Sequence, residues 1–265
     1  MRSSIGEQIR IYFGKCYRIF LNENGWKAFI SSGIITFLIG CVTGANMFKT
    51  YRDTRNGAFA LVCACIWIGI FNSIQSVCKE RDIIKREHRS GMSVFAYVSA
   101  HALFELIQCL IEAAIVTAIT LVFNNGTVPS KGVILPVAIE LTISFFTIIF
   151  CSDMLGLMVS CIVKTPQTAM TVMPFVLILQ LILSGMIFEL NGFTKKLSFF
   201  MVSKWGLNAL CITSNLNGMA GAPKNPDFDF EVANLLKMWG FPMLFAFCYV
   251  IIGTIFLSFV DKDKR

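Results

Sequence analysis

Long apolar runs constrain this chain more than any other feature of its sequence. Six such runs alternate with polar segments, and each has the roughly 20 residues that an α-helix needs to cross a bilayer. The predicted spans are residues 27–47, 57–78, 94–123, 133–163, 168–189 and 238–260. Because backbone polar groups inside a bilayer must be satisfied within the segment, we predict an all-α membrane protein with six transmembrane helices.

The composition favours a membrane protein over a soluble or nucleic-acid-binding one. Only 15% of the residues are charged, whereas soluble domains have roughly 25%. The formal net charge of +7 comes from Lys and Arg beside the apolar runs, a distribution typical of contact with a membrane surface. The lipid bilayer is therefore an expected partner, and no nucleic acid is expected.

The ten cysteines and two histidines do not form a metal-binding pattern. They contain no CxxC and no Cys/His ligand spacing, so we predict small buried cysteines and no metal site. Cys211 is the one cysteine that we place in an external loop. Its pairing across a dimer is an alternative that the sequence leaves open.

Lys and Arg residues near the span ends favour a cytoplasmic location for both termini. With the N-terminus inside, the inner segments hold more of these residues than the outer ones, as the positive-inside rule requires. The N-terminal sequence lacks an apolar h-region, so we expect no cleavable signal peptide. These features predict a multi-pass protein of the cell membrane.

Two segments outside the spans have patterns of their own. Residues 1–24 repeat apolar positions at helical spacing with a basic opposite face, which predicts an amphipathic interfacial helix, with an ordinary solvated helix as the alternative. Residues 190–236 form a long external loop, and its semi-apolar first part predicts a re-entrant or surface helical piece before the last span. Since no repeat divides the chain, residues 1–265 are predicted to form a single transmembrane domain.

The most charged segment lies between the second and third spans. Residues 79–92 have the sequence KERDIIKREHRSGM. In a helix, Glu80, Ile83, Ile84 and Glu87 share one face, and a glycine after the last turn ends the helix. A short charged helix on a cytoplasmic turn is suited to bind a soluble partner. From the residues alone, however, a positive-inside anchor is the simpler explanation.

The sequence ERDIIKREHRSGMSVFAYVSAHALFEL resembles the loop and third helix of type-2 ABC export permeases, especially those of the G-subfamily (White/pleiotropic-drug). The resemblance extends over nearly the whole chain, with the LSGMIF sequence in the fifth span and KWGLNAL in the loop after it. The residues that meet the family pattern are Glu80, Arg81, Arg86, Glu87, Gly91, Tyr97, Glu105 and Leu106.

This resemblance implies that the chain is the non-catalytic permease of an ATP-driven exporter. No GxxxxGK[ST] phosphate-binding loop occurs in the sequence, so ATP and Mg²⁺ are expected on a separate nucleotide-binding ATPase subunit and no cofactor is expected on this chain. Residues 79–92 would be the cytoplasmic coupling helix that docks on that ATPase. The implied coupling residues are Glu80, Arg81, Lys85, Arg86, Glu87, His88, Gly91 and Glu105.

The resemblance also implies a second permease, as a homo- or heterodimer, with a substrate cavity between the two copies. The implied lining residues are Asn72, Gln75, Phe175, Leu179 and Gln180, and the implied outer gate is formed by Met186 and Ile187. The family often has an aromatic residue near position 75, a basic one near 111 and a proline near 107, and this chain has none of them. These departures indicate a bacterial-type subunit and leave the amphipathic substrate open between a drug, a lipid and a hydrophobic peptide.

Acidic residues within the predicted spans support a rival interpretation. Glu105, Glu112, Glu140 and Asp153 lie inside apolar runs, where an acid costs about 2.5–3.5 kcal/mol near the bilayer centre. A proton-coupled secondary transporter or channel would use such acids. A membrane scaffold without transport is the third possibility.

Overall fold

The computed structural model describes residues 4–44, 47–129 and 131–260, and these ranges contain helices and no β-strand. Residues 45–46 of the predicted first span lie outside the described residues, as do residues 1–3 of the predicted amphipathic segment, residue 130 and residues 261–265. The α-helices are α1 (Ile5–Asn22), α2 (Lys27–Thr43), α3 (Tyr51–Ser73), α4 (Ser76–Lys79), α5 (Arg81–Arg89), α6 (Val94–Phe123), α7 (Val137–Ile162), α8 (Pro166–Ile182), α9 (Phe193–Ser198), α10 (Val202–Thr213) and α11 (Val232–Ser258).

Within the described ranges, four helical segments are long and apolar enough to cross a membrane. They are the continuous stretch Tyr51–Lys79, which contains α3 and α4, together with α6, α7 and α11. Helices α1 and α2 give a fifth candidate if the pair is taken as one span broken by a 67° bend. Helix α8 is apolar but has only 17 residues. Length and composition thus give four or five candidate spans, and a count of six requires α2 and α8 to cross separately.

The helix ends differ from the predicted ends where capping side chains lie. Helix α6 coincides with the predicted span at 94–123, and the Ser93 side chain accepts a hydrogen bond from Ala96 N at its start. Helix α3 begins at Tyr51 rather than at residue 57, because Thr50 caps it by accepting from Asp53 N. The polar first turn of α3 carries no apolar signal, so a search for apolar runs misses it.

Helix α7 lies at the centre of the bundle. It packs against α3, α6, α10 and α11, and most of its residues are buried. Helices α3 and α7 pack tightly at Gly69 of α3 and Gly156 of α7. A Cβ added at Gly156 would lie 2.6 Å from Ser73 Oγ and 2.8 Å from Ile70 O. Helix α7 is therefore fixed against α3 by backbone packing as well as by its side chains.

The predicted external loop contains a buried helix. Helix α10 packs against α3, α7 and α11, and all of its residues except Lys204 are buried. It therefore does not lie on the surface of the described chain. Cys211 is fully buried in α10. This burial corrects the expectation that its thiol is accessible for pairing across a dimer.

Glu140 organises the connection that leads into α7. Its Oε1 accepts hydrogen bonds from Ile134 N at 2.6 Å and from Leu135 N at 2.9 Å. Gly132 leaves room for the carboxyl group, because a Cβ at this position would lie 2.6 Å from Glu140 Oε2. One of the four acids within the predicted spans therefore has a structural role at the start of a helix.

Replacing Glu140 with alanine is expected to lower the free energy of unfolding by about 1–3 kcal/mol, because two partly buried N–H groups lose their acceptor. Thermal unfolding in detergent micelles measures this loss. The Glu140→Gln variant keeps one carbonyl oxygen and serves as the matched control, with less than half of the loss. An alanine variant as stable as the wild type would contradict this role.

Candidate functional site

The charged segment between α3 and α6 folds as two short helices. Glu80 lies at their junction, at the C-terminal cap of α4 and the N-terminal cap of α5. Helix α5 ends in a Schellman motif, in which Met92 N donates to Glu87 O and Gly91 N donates to His88 O. Gly91 has φ of +100°, a conformation that glycine adopts without a Cβ penalty. The predicted single helix over 79–92 is thus broken at Glu80.

Glu80 joins three helices. Its Oε2 accepts hydrogen bonds from Lys15 Nζ of α1 and from the Tyr97 hydroxyl of α6, both at 2.9 Å. The Lys15 and Glu80 side chains are 28% and 16% exposed, and Tyr97 is fully buried. The Tyr12 ring packs edge-to-face on Tyr97 with ring centroids 5.4 Å apart. The start of α5 is thereby attached to both α1 and α6.

A second set of contacts holds α1 against the end of α5. The Tyr12 hydroxyl donates to Glu87 Oε2 at 3.0 Å, and Gln8 Oε1 accepts from Ser93 N at 2.8 Å. Partial burial, together with the smaller effects of the hydrogen bond to Glu87 and its negative charge, raises the pKa of Tyr12 to about 12. Tyr12 therefore remains a protonated donor at neutral pH.

An open groove of about 560 Å³ lies between α1 and α5. Tyr12, Ile83, Arg86, Glu87 and Met92 are among the residues that line it. Ile83 is 38% exposed, and Arg86 is exposed. The groove therefore offers apolar and charged groups together, as a protein docking surface does.

Arg81 is directed into the protein. Its Nη1 donates to Cys161 O at 3.0 Å and to Val163 O at 2.8 Å, at the C-terminal end of α7. Glu105 of α6 is also in the coupling set that the sequence predicts. Its carboxyl group is buried and lies near those of Asp153 and Glu112. The structure therefore separates the predicted coupling residues into exposed, inward-directed and deeply buried groups.

The exposed part of the coupling set lies on α5. Arg86 is exposed, whereas Lys85, Glu87 and His88 are half-buried. Glu80, Arg81 and Glu87 make contacts between helices, so their side chains are engaged within this chain. Sequence reasoning did not identify Lys15, Tyr12 or the α7 carbonyls as their partners.

A polar cluster lies in the interior between α3, α6 and α7. Cys109 Sγ donates to Asp153 Oδ2 at 3.1 Å, and Asn72 Nδ2 donates to Glu112 Oε2 at 2.8 Å. Among the described residues, the carboxyl oxygens without a hydrogen-bond donor include Glu105 Oε2, Glu112 Oε1 and Asp153 Oδ1. The described part of the chain contains no group of three or more His, Cys, Asp or Glu side chains that could hold a metal ion.

The spacing of residues on α6 contains a signal for this cluster. Tyr97, His101, Glu105 and Cys109 recur every four residues and are all buried, so they form one polar stripe on the helix. The stripe runs from the Glu80 contact to the interior acids. A search for polar residues at a four-residue interval within an apolar run would have found it.

The predicted cavity residues have different surroundings in the single chain. Phe175 and Leu179 on α8 are 65% and 53% exposed, and Gln75 is half-buried. Asn72 is bound to Glu112, as described above. Gln180 is buried, and its side-chain oxygen accepts from Ser203 N of α10 at 3.2 Å. Gln180 thus holds α8 against α10 and is not open to a partner in this conformation.

The predicted outer-gate residues follow α8 directly. Ile187 is 53% exposed, and Met186 is half-buried and packs against the core. The turn before them contains Gly185, with φ of +78°. Because α8 ends at Ile182, this turn places both residues just beyond the C-terminus of the helix, and glycine adopts the positive φ without a Cβ penalty.

Comparisons with known proteins identify similar sequences. Residues 13–214 match the ABC-2 type transporter family. The chain is also 26% identical over 261 residues to an ABC transporter ATP-binding/permease protein of Mycobacterium tuberculosis. That alignment covers 94% of this chain and 30% of the relative, so the chain spans less than a third of the relative's length.

Proposed function

The chain belongs to the ABC-2 type transporter family, and from this premise we propose that it is the permease of an ATP-driven exporter of the G-subfamily kind. The observation that carries the proposal is the attachment of α5. Glu80 and Arg81 fasten this charged helix to α1, α6 and α7, while Arg86 stays exposed on its outer side. A helix held in this way is suited to pass an external force into the bundle.

The force is proposed to come from a nucleotide-binding subunit that docks on α5 and the adjoining groove. That subunit would supply ATP hydrolysis and its Mg²⁺, while this chain contributes no catalytic residue. The name of the Mycobacterium tuberculosis relative joins ATP-binding and permease functions in one protein. For this chain we propose that the same two functions work together, with the ATP-binding unit on a separate polypeptide.

The proposed topology has six spans in a cell membrane and both termini in the cytoplasm. Helices α2 and α8 have 17 residues each, or about 26 Å, close to the hydrocarbon thickness of a bilayer. Helix α1 would lie in the cytoplasmic interface. The segment 190–236 would face outward, with α10 as its re-entrant piece.

The proposed transport path lies between this chain and a second permease. The exposed face of α8 supplies Phe175 and Leu179, and α3 with its following turn supplies Asn72 and Gln75. Apolar walls with a few polar groups suit an amphipathic substrate, such as a drug, a lipid or a hydrophobic peptide. Met186 and Ile187 would close this path on the outer side.

The docking proposal predicts that Arg86→Glu weakens binding of the nucleotide-binding subunit at least about tenfold, because reversing a charge at an interface opposes its partner. Co-purification and titration of the subunit in detergent measure the loss. Arg52→Glu is the matched control, since Arg52 is also exposed but lies on the opposite side of the proposed membrane. Unchanged binding and ATP-driven transport in Arg86→Glu would contradict the proposal.

A proton-coupled secondary transporter or channel is the second candidate. It is favoured by the buried carboxyl oxygens of Glu105, Glu112 and Asp153 that lack donors among the described residues. Transport that continues without ATP and stops when the proton gradient is collapsed would support this candidate over the first.

A further inference from the structure

Arg81 completes the C-terminal end of a helix to which it does not belong. The last carbonyls of a helix have no partner within the helix and carry partial negative charge. Arg81 Nη1 donates to two carbonyls at this end of α7, those of Cys161 and Val163. These hydrogen bonds are charge-assisted, and therefore stronger than neutral ones. Arg81 thus fastens the start of α5 to the end of α7.

Ser160 provides a second connection at the same place. Its Oγ accepts hydrogen bonds from Val77 N and from Cys78 N of α4, both at 3.1 Å. Ser160, Val77 and Cys78 are buried. The α4–α5 junction is therefore attached to the last turn of α7 on both sides of Glu80, in each case by hydrogen bonds between a side chain and backbone groups.

The fastened turn leads directly into α8. Only residues 163–165 separate α7 from α8, and Thr165 caps α8 by accepting from Thr168 N, with Pro166 in the first helical turn. Because this linker is short and α8 is capped at its start, a displacement of the end of α7 also displaces the start of α8. Helix α8 carries the exposed Phe175 and Leu179, which line the proposed transport path.

We infer that Arg81 is a positioning residue, which transmits movement of α5 to the α7–α8 turn and hence to α8. It is therefore distinct from the docking residues such as Arg86. The inference rests on the proposed function, because movement of α5 requires the nucleotide-binding subunit. Movement of α5 would thus reach α7 and α8 through Arg81, and would reach α6 separately through the Glu80–Tyr97 hydrogen bond.

Hydrogen exchange measured by mass spectrometry tests this inference on the chain bound to its nucleotide-binding subunit in lipid nanodiscs. Without nucleotide, Arg81→Gln is expected to speed exchange of the amides in 157–163 by about tenfold, because the end of α7 loses its charge-assisted hydrogen bonds. Lys27→Gln is the control: it removes a positive charge at an exposed position at the start of α2, outside the docking segment, and should leave this exchange unchanged.

Addition of ATP and orthovanadate tests the transmission itself. In the wild type, exchange is expected to change in both 81–89 and 157–168. In Arg81→Gln, the nucleotide-dependent change in exchange at 81–89 should persist. The change at 157–168 should become at least about tenfold smaller, because the hydrogen bonds from Arg81 to the end of α7 are lost. Arg81→Lys keeps the charge but has only a point donor, so it should recover part of the response.

The two proposals fail in different ways in this experiment. A wild type without any nucleotide-dependent change in 81–89 overturns the proposed function and the inference with it. A normal response of 157–168 in Arg81→Gln overturns the inference alone, as does loss of the nucleotide-binding subunit from Arg81→Gln but not from Lys27→Gln. If Arg81→Gln does not fold, Arg81→Lys takes its place, and a response of 157–168 equal to that of the wild type then overturns the inference.

Discussion

Replacing Gly69 with alanine is expected to lower the free energy of unfolding by about 2–4 kcal/mol, because the added methyl group overpacks the crossing of α3 and α7. A Cβ at Gly69 would lie 2.9 Å from Asp153 N and closer still to Ile149 O. Both are backbone atoms of the central helix, so neither can rotate out of the way. Relief requires α3 and α7 to move apart, which opens the core.

Gly240→Ala is the matched control for this prediction. Gly240 lies in α11, where an added Cβ meets nothing within 4 Å. Alanine has the higher helix propensity, by roughly 1 kcal/mol, so this variant should be as stable as the wild type or more so. Thermal unfolding of both variants in detergent micelles measures the difference. Equal stabilities for Gly69→Ala and Gly240→Ala would contradict the close approach of α3 and α7.

The helices of this fold were predictable where apolar runs set their length. The span at 94–123 coincides with α6 because the run begins directly after a capping serine and is mostly apolar up to Phe123, where the helix ends. The predictions were poorer where polar side chains set a helix end, as at Thr50 and in the junction at Glu80. Such ends depend on single hydrogen bonds, which the spacing of apolar residues does not reveal.

The candidate site was predictable as a segment but not as a set of contacts. The charge pattern of 79–92 placed Glu80, Arg81 and Glu87 together, because they are close in sequence. Their directions depend on α1, α6 and α7, whose contributing residues are up to 82 positions away. For the same reason the sequence could place Gln180 on α8 but could not show that its amide oxygen meets Ser203 N.

Replacing Glu80 with alanine is expected to uncouple the proposed exporter. The change leaves the Tyr97 hydroxyl buried without its acceptor and leaves Lys15 without its ion pair, at a cost of about 1–3 kcal/mol in the free energy of unfolding. Because the start of α5 then loses its hydrogen bonds to Lys15 of α1 and Tyr97 of α6 and keeps only the Tyr12–Glu87 contact near its end among those described above, ATP-driven transport should fall at least about tenfold, the effect of losing about 1.4 kcal/mol of transmitted interaction. Transport per ATP hydrolysed by the reconstituted complex measures the loss of coupling, and thermal unfolding measures the loss of stability. Asp82→Ala, a change at an exposed acid on the same helix, is the control.

A double-mutant cycle separates the Tyr97 contact from the rest of this effect. Tyr97→Phe removes only the hydroxyl, and Glu80→Ala removes its acceptor. If the hydrogen bond at 2.9 Å stabilises the protein, the double variant should lose about 1 kcal/mol less stability than the two single losses added together. Additive losses would mean that the two side chains do not interact, and would contradict the direct attachment of the α4–α5 junction to α6 at Tyr97. Glu80→Gln completes the set, since it keeps an acceptor for Tyr97 while abolishing the ion pair with Lys15, whose partly exposed position limits its contribution to about 1 kcal/mol or less.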